Sequence, residues 1–197
     1  MTKEPVIKTK NNIFIISGPS GAGKDAVIRG LKKILPSRQL ITTTTRPKRL
    51  GERQGKPYYF ITKNEFKKRI KQNKFFEYDK HYDNYYGLTY TEMDKIKTNQ
   101  KICFWQAEYK GVMTAKKKQP EIIAIFINSP FEVLKQRILQ REKQINKKIF
   151  NQRIKDIKEW LKHLDFYDFV VINEQGKLNQ TIKKVAEIIK KHSRETS

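Results

Sequence analysis

Short apolar runs punctuate an otherwise polar chain. Residues Ile13–Ser17, Ile102–Gln106, 122–127 and Phe169–Ile172 are near-continuous in aliphatic and aromatic side chains and are bounded by polar residues. Runs of that length and character predict strands buried on both faces of a parallel sheet. Elsewhere the apolar positions fall three and four apart, the spacing of one helix face. Residues 24–35 predict a helix stopped by Pro36, and 63–72 an amphipathic helix with Phe66 and Ile70 four apart. Further helices are predicted over 91–98, Phe131–Arg141, 150–164 and 178–191. In Phe131–Arg141, Val133, Leu134 and Ile138 mark an apolar side and Arg137 a basic one. Residues 39–45, 57–60 and 75–82 read as extended. The order is strand, loop, helix, then a strand-rich insert, then strands alternating with helices. That order predicts an α/β domain with a small inserted subdomain.

Composition narrows the setting. The 197 residues suit one domain, and 37% hydrophobic content is enough for a core because the apolar residues are clustered. No run approaches the ~20 apolar residues of a membrane span. Residues 1–12 carry three lysines without an apolar stretch of secretory length, so a cytoplasmic protein is expected. The single cysteine, Cys103, excludes an intrachain disulfide and a cysteine metal site. The net charge of +23 is large. It fits either attraction to polyanions or lysines spread over solvated helix faces. The lysines run along the whole chain and no nucleic-acid-binding motif is visible, which favours solvated faces, and no nucleic-acid partner is expected.

The sharpest chemical signal follows the first strand. Gly18-Pro19-Ser20-Gly21-Ala22-Gly23-Lys24 matches a phosphate-binding P-loop through its lysine. Glycines there let backbone N–H groups turn toward phosphate oxygens, the following helix N-terminus adds partial positive charge, and Lys24 reaches the β and γ phosphates. The last position departs: Asp25 stands where a Ser or Thr hydroxyl would meet Mg²⁺. A carboxylate also suits a hard cation, and equally suits the first turn of a helix.

Beyond the loop the chain resembles the guanylate kinases. The stretches that carry the resemblance are Thr42-Thr43-Thr44-Thr45-Arg46-Pro47-Lys48-Arg49-Leu50-Gly51-Glu52, Gly55-Lys56-Pro57-Tyr58-Tyr59-Phe60, Phe76-Glu77, Asn84-Tyr85-Tyr86-Gly87 and the segment 163–173. With the P-loop they cover about residues 13–190. The resemblance implies a P-loop kinase with a parallel central sheet, a small strand-rich acceptor-binding insert and a mobile helical lid. It implies one domain over 1–197, with a core of 11–41 and 100–192, an insert of about 42–90 and a lid of about 138–153. The reaction implied is transfer of the ATP γ-phosphate to GMP with Mg²⁺ as cofactor, by a monomer or homodimer whose partners are soluble nucleotides.

The same resemblance assigns residues. Arg46 and Arg49 supply guanidinium forks for the acceptor phosphate, and Thr42, Tyr58 and Tyr86 supply hydroxyls. Glu77 would accept the adjacent N1–H and amino donors of guanine, and Glu108 also falls on the acceptor side. Adenine lacks the N1–H and would leave Glu77 partly unpaired. Lid arginines Arg137 and Arg141, with Arg153 beyond them, would surround the transferring group, and Asn173 would lie near the adenine. The pattern breaks in four places. Glu142 replaces a glycine after the second lid arginine, Leu88 replaces a hydroxyl after Tyr-Tyr-Gly, and Gln106 and Glu108 stand where two aspartates are usual. A carboxylate gained at Asp25 and lost at Gln106 suggests an exchange between two positions on one metal site. Two other readings remain open at this stage: a ribose bisphosphate kinase-like phosphotransferase, whose P-loop also ends Gly-Lys-Asp, and a guanylate-kinase-like binding module without catalysis.

Overall fold

A computed structural model describes residues 12–81, 83–97, 101–141 and 146–193, the side chains of Lys97 and Arg141 excepted. Tyr82, Thr98 and Glu142, which closed or bordered predicted segments, lie outside the described residues, as do the two termini. Nine strands and seven α-helices alternate within the described residues. They are β1 (Ile13–Ser17), α1 (Lys24–Ile34), β2 (Ser37–Gln39), β3 (Thr43–Thr44), β4 (Tyr59–Phe60), α2 (Lys63–Lys71), β5 (Phe75–His81), β6 (Asn84–Thr89) and α3 (Tyr90–Lys97). The second half holds β7 (Ile102–Gln106), α4 (Tyr109–Lys118), β8 (Ile123–Asn128), α5 (Phe131–Arg141), α6 (Lys147–Leu161), a 3-10 turn at Leu164–Phe166, β9 (Phe169–Ile172) and α7 (Leu178–His192).

Five strands form the central sheet in the order β2-β7-β1-β8-β9, every pair parallel. Alternation explains why its strands read as unbroken apolar runs. Phe14 and Ile16 of β1 join one core cluster, with Val27, Ile28 and Leu31 of α1 and Val185 and Ile189 of α7. Ile15 joins the other, with Cys103 and Trp105 of β7, Val112 and Ala115 of α4 and Trp160 of α6. Both faces are thus covered, as a parallel sheet requires. The outer strand β9 is the exception: Val171 is fully buried, but Val170 and Ile172 are 43% and 46% exposed.

The second sheet, β4-β3-β6-β5, is the predicted insert. It leans on the main body through Phe76 and Leu88, which enter the cluster around Trp105. Helix α2 opens where the Thr62 hydroxyl accepts from the Glu65 N–H at 3.2 Å, and α6 where the Asn146 side chain accepts from the Lys148 N–H at 2.7 Å.

Three expectations are corrected. The stretch 39–45 is not one strand: Gln39 ends β2 of the central sheet, and Thr43 and Thr44 form β3 of the insert. Strand β6 and helix α4 were not foreseen. Gly111 inside α4 and its terminal lysines blur the helical pattern, yet Gly111, Val112 and Ala115 are all buried. Among the described residues, no helix is long and apolar enough to cross a membrane.

Leu31 is fully buried in the cluster between β1, α1 and α7. Leu31→Ala is expected to lower the unfolding free energy by about 2–5 kcal/mol, read by urea denaturation.

Candidate functional site

The loop between β1 and α1 is pressed against the C-terminal ends of the neighbouring strands. Gly18 has φ 140° and any Cβ there would overlap the Ile127 carbonyl oxygen at the end of β8. Gly23, which caps α1, has φ 90° and a Cβ would collide with the Asn173 amide. Only glycine meets both demands, positive φ and no side chain. The Lys24 ammonium folds back to donate to the Gly18 carbonyl at 2.5 Å and the Pro19 carbonyl at 3.1 Å.

Asn173 follows the last residue of β9 and is 2% exposed. Its Nδ2 donates to the Ala22 carbonyl at 2.9 Å, and its Oδ1 accepts from the Thr181 hydroxyl at 3.1 Å. Its own carbonyl accepts from the Ser129 hydroxyl at 2.7 Å. The amide expected near a nucleotide base is therefore committed inside the protein, as a brace under the loop. Arg137 reaches the loop from α5, its Nη1 donating to the Gly21 carbonyl at 3.2 Å and the Ser129 hydroxyl at 3.0 Å. Burial pulls its guanidinium below the ordinary value.

Asp25 and Gln106 meet. The Gln106 Nε2 donates to Asp25 Oδ1 at 2.7 Å, joining the first turn of α1 to the end of β7. The Tyr58 hydroxyl approaches the other end of the same amide, donating to Gln106 Oε1 at 3.4 Å. Burial, with the Asp25 charge second, pushes the Tyr58 hydroxyl up. The two positions singled out as an exchange thus share one corner.

On the insert side, Arg46 is held in a two-pronged pair by Glu52, at 2.9 Å and 2.8 Å. Glu52 also accepts from the Arg49 N–H at 2.7 Å. The Arg46 guanidinium lies 5.4 Å from the Tyr58 ring centre. Burial is the largest single influence and opposes both charges, but the hydrogen bonds and the charge attraction together outweigh it, raising Arg46 and lowering Glu52. Glu52 is a site residue that sequence reasoning missed. It closes the acceptor stretch that carries the family resemblance, but only the fold shows which arginine its carboxylate faces.

These groups line one cleft of about 450 Å³. Ser20, Gly21 and Gly23 come from the loop, Lys24 and Asp25 from the first turn of α1, Arg46, Arg49, Tyr58 and Tyr86 from the insert, Gln106 from the end of β7, Glu108 from the start of α4, and Arg137 and Arg153 from the helical side. Arg141 ends α5, with its side chain outside the described residues. Thr42 and Glu77 are not among the walls: each is 3% exposed, below the surface. Glu77 points toward α4, where any Cβ at Gly111 would overlap its Oε2. Burial raises its carboxyl to about 8, with Asp79 and Glu108 adding to the rise. The Leu88 N–H and the nearby Trp105 indole oppose it, although the indole N–H completes no hydrogen bond.

Among the described residues no cluster of three or more His, Cys, Asp or Glu is arranged to hold a metal. A lone carboxylate at the loop is the usual protein share for Mg²⁺, which takes one or two carboxylates and leaves other positions to water and substrate phosphates. Asp25 fits that donor set.

Comparison with known proteins agrees with this geometry. The guanylate kinase family model matches residues 10–192. A guanylate kinase of Rickettsia felis is 41% identical over 185 residues, covering 93% of this chain and 95% of the relative. One of Shewanella violacea is 35% identical over 167 residues, covering 84% and 81%. Among solved structures, guanylate kinase from Anaplasma phagocytophilum superposes with a TM-score of 0.74 at 21% identity, covering 96% of this chain and 89% of that one. Shikimate kinase from Acinetobacter baumannii shares the fold at a TM-score of 0.51 and 16% identity, covering 95% of this chain and 97% of that one.

Asn173→Ala would remove the donor that the Ala22 carbonyl accepts and one of the two acceptors of the Thr181 hydroxyl, which also reaches the Lys177 carbonyl at 3.3 Å. A loss of about 1–3 kcal/mol in unfolding free energy is expected by denaturant titration.

Proposed function

The chain belongs to the guanylate kinase family, and from that premise we propose that it transfers the γ-phosphoryl group of ATP to GMP, releasing ADP and GDP. The observation that carries this reading is the single cleft shared by Lys24, Asp25, Arg46, Arg49, Arg137 and Arg153. Phosphoryl transfer needs alignment and positive charge around the moving group, with little covalent help.

The donor triphosphate lies along loop 18–24, where N–H groups and the start of α1 face it. Lys24, parked on the Gly18 and Pro19 carbonyls, exchanges these neutral acceptors for anionic phosphate oxygens. Asp25 would hold Mg²⁺, with Gln106 fixing the carboxylate's orientation, and the bound ion would neutralise charge on the phosphates. Arg46 and Arg49 take the acceptor phosphate. The Glu52 pair keeps the Arg46 fork in one orientation, so less freedom is lost on binding. Arg137 approaches from the opposite side, and closure of the span around 138–153 brings Arg141 and Arg153 nearer and excludes water.

Guanine recognition falls to Glu77, whose carboxyl must come to the cleft surface from its buried place beside Gly111. Its ionised form accepts two donors at once, and a protonated carboxyl cannot. Leu88, fully buried opposite Glu77 in the β5–β6 pairing, offers no hydroxyl, so the acceptor loses one contact of ~1 kcal/mol. The ribose bisphosphate and non-catalytic readings are not favoured: the relatives are guanylate kinases, and both halves of a two-substrate cleft are kept. The reading makes this a cytoplasmic enzyme of purine nucleotide metabolism, monomeric or homodimeric, without a nucleic-acid partner.

Three measurements test it. ADP formation with ATP and Mg²⁺ is expected with GMP far above AMP, CMP and UMP; turnover of another acceptor in preference to GMP overturns the reading. Asp25→Ser is expected to lower kcat by about 10²-fold and to weaken Mg²⁺ binding in a calorimetric titration with ADP, and Asp25→Ser with Gln106→Asp to recover both. Equal behaviour of wild type and Asp25→Ser removes the metal role.

The third is a pH profile. Glu77, raised to about 8, is largely neutral below that value and becomes able to accept the guanine donors as pH rises through it. The GMP Kd is therefore expected to fall as pH climbs from about 6.5 to 8.5, a range above the phosphate's own titration near 6. Glu77→Gln should flatten that slope. A flat wild-type profile would mean that Glu77 is already ionised across this range, whereas an unchanged GMP Kd in Glu77→Gln would exclude it from base recognition.

A further inference from the structure

The insert sheet has a second face, turned away from the acceptor cleft. Along β3 and β4 the side chains alternate. Thr44 and Tyr58 serve the cleft side, the Thr44 hydroxyl donating to the Tyr85 carbonyl at 3.0 Å and accepting the Arg46 N–H at 3.2 Å. Thr43 and Tyr59 point the other way and line a separate cavity of about 420 Å³, close in size to the cleft itself.

Thr43 is fully buried and its Oγ1 has no hydrogen-bond partner in the protein. Buried hydroxyls are almost always satisfied, so a bare one on a cavity wall marks a place for an outside partner. The charges around it are unevenly spent. Glu92 is saturated: it accepts from the Ile41 N–H at 3.1 Å and the Tyr59 hydroxyl at 3.2 Å, and pairs with Lys95. Glu65 pairs with the Arg69 Nε at 2.7 Å. That leaves the two terminal nitrogens of Arg69 and the whole ammonium of Lys74 without a carboxylate among the described residues, and both residues line the cavity. Gln72 lines it too. A guanidinium fork, an ammonium and a hydroxyl donor together are the chemistry that recognises a phosphate group. The space exceeds what a bare phosphate ion fills.

We propose that this cavity, formed by Thr43, Tyr59, Arg69, Gln72, Lys74 and Glu92, is a second binding site for a compact phosphate ester, distinct from the nucleotide cleft. The phosphate meets Arg69 and Lys74, and the remainder of the ligand lies along Tyr59 and donates or accepts at Thr43. An occupant touches the reverse face of the strand that sets the Arg46 backbone.

Calorimetric titration of the full chain with ribose 5-phosphate, and separately with inorganic phosphate, tests this without any catalytic turnover. The cleft is removed as a competitor by Lys24→Ala with Arg46→Ala, or filled with GMP and ADP in the wild type. One ribose 5-phosphate site per chain is expected to survive either treatment. Adding Arg69→Gln and Lys74→Gln should weaken it at least tenfold. Thr43→Val should weaken it several-fold while leaving the melting temperature of the free protein unchanged or higher, because the hydroxyl it removes makes no bond there; this single variant carries the test if the charge variants fail to fold. Inorganic phosphate binding as tightly as the ester would identify the free ion as the ligand of the same site. No saturable binding after the cleft is disabled and also after it is filled, or binding indifferent to Arg69, Lys74 and Thr43, overturns the proposal.

Discussion

The donor half of the molecule depends on the closeness of one loop to the sheet beneath it. Residues 18–23 are packed so tightly onto the ends of β8 and β9 that side chains at Gly18 and Gly23 would occupy the places of the Ile127 carbonyl and the Asn173 amide. The contact works in both directions. The loop takes its shape from the strand ends, and the Ala22 carbonyl satisfies the amide that follows β9. Arg137 adds a third anchor through Gly21 and Ser129, so helix α5 is already tied to the loop. A phosphate site made of backbone groups is only as good as the rigidity of that backbone, and here rigidity comes from polar bonds under the loop.

The acceptor half solves a different problem, that of keeping cations oriented before an anion arrives. Two guanidinium groups in a small insert would repel and wander. Glu52 holds one of them by both oxygens and takes the backbone N–H of the other. Arg46 also rests near the Tyr58 and Phe60 rings, which limit its rotamers without adding charge. Glu92 does comparable work on the reverse face, tying Ile41, Tyr59 and Lys95 together. Carboxylates thus orient the polar groups of the insert, while fully buried Phe66, stacked on Phe75 and Tyr85, supplies a small aromatic core.

Much of this was legible in the residues, for reasons that differ by element. The parallel sheet could be read because strands covered on both faces leave unbroken apolar runs, and the loop because its glycines stand for backbone conformations. The Asp25 and Gln106 exchange was visible as a substitution pattern, but not as a contact across 81 positions. Pairings that join distant elements stayed hidden. The resemblance puts Asn173 near the base, and only the fold shows its amide spent on Ala22 and Thr181. Helix α4 was missed because a buried glycine inside a helix gives no periodic signal, although the Glu77 side chain requires that glycine. The depth of Thr42 and Glu77 also depends on how the insert leans on the main body, and side-chain period within one strand carries no information about that.

The outer strand β9 gives the chain's charge a colloidal consequence. Among the described residues no strand pairs with its outer edge, and Val170 and Ile172 face solvent with no charged residue inside the strand, a poor defence against edge-to-edge association of two copies. What opposes that encounter is the +23 carried by the whole molecule. Such repulsion is long-ranged only in dilute electrolyte, since the screening length shrinks from ~30 Å at 0.01 M to about 3 Å at 1 M salt. Resistance to that encounter accordingly rests on the lysines and the ionic medium rather than on the strand's own design, and concentrated salt strips that protection from the apolar edge.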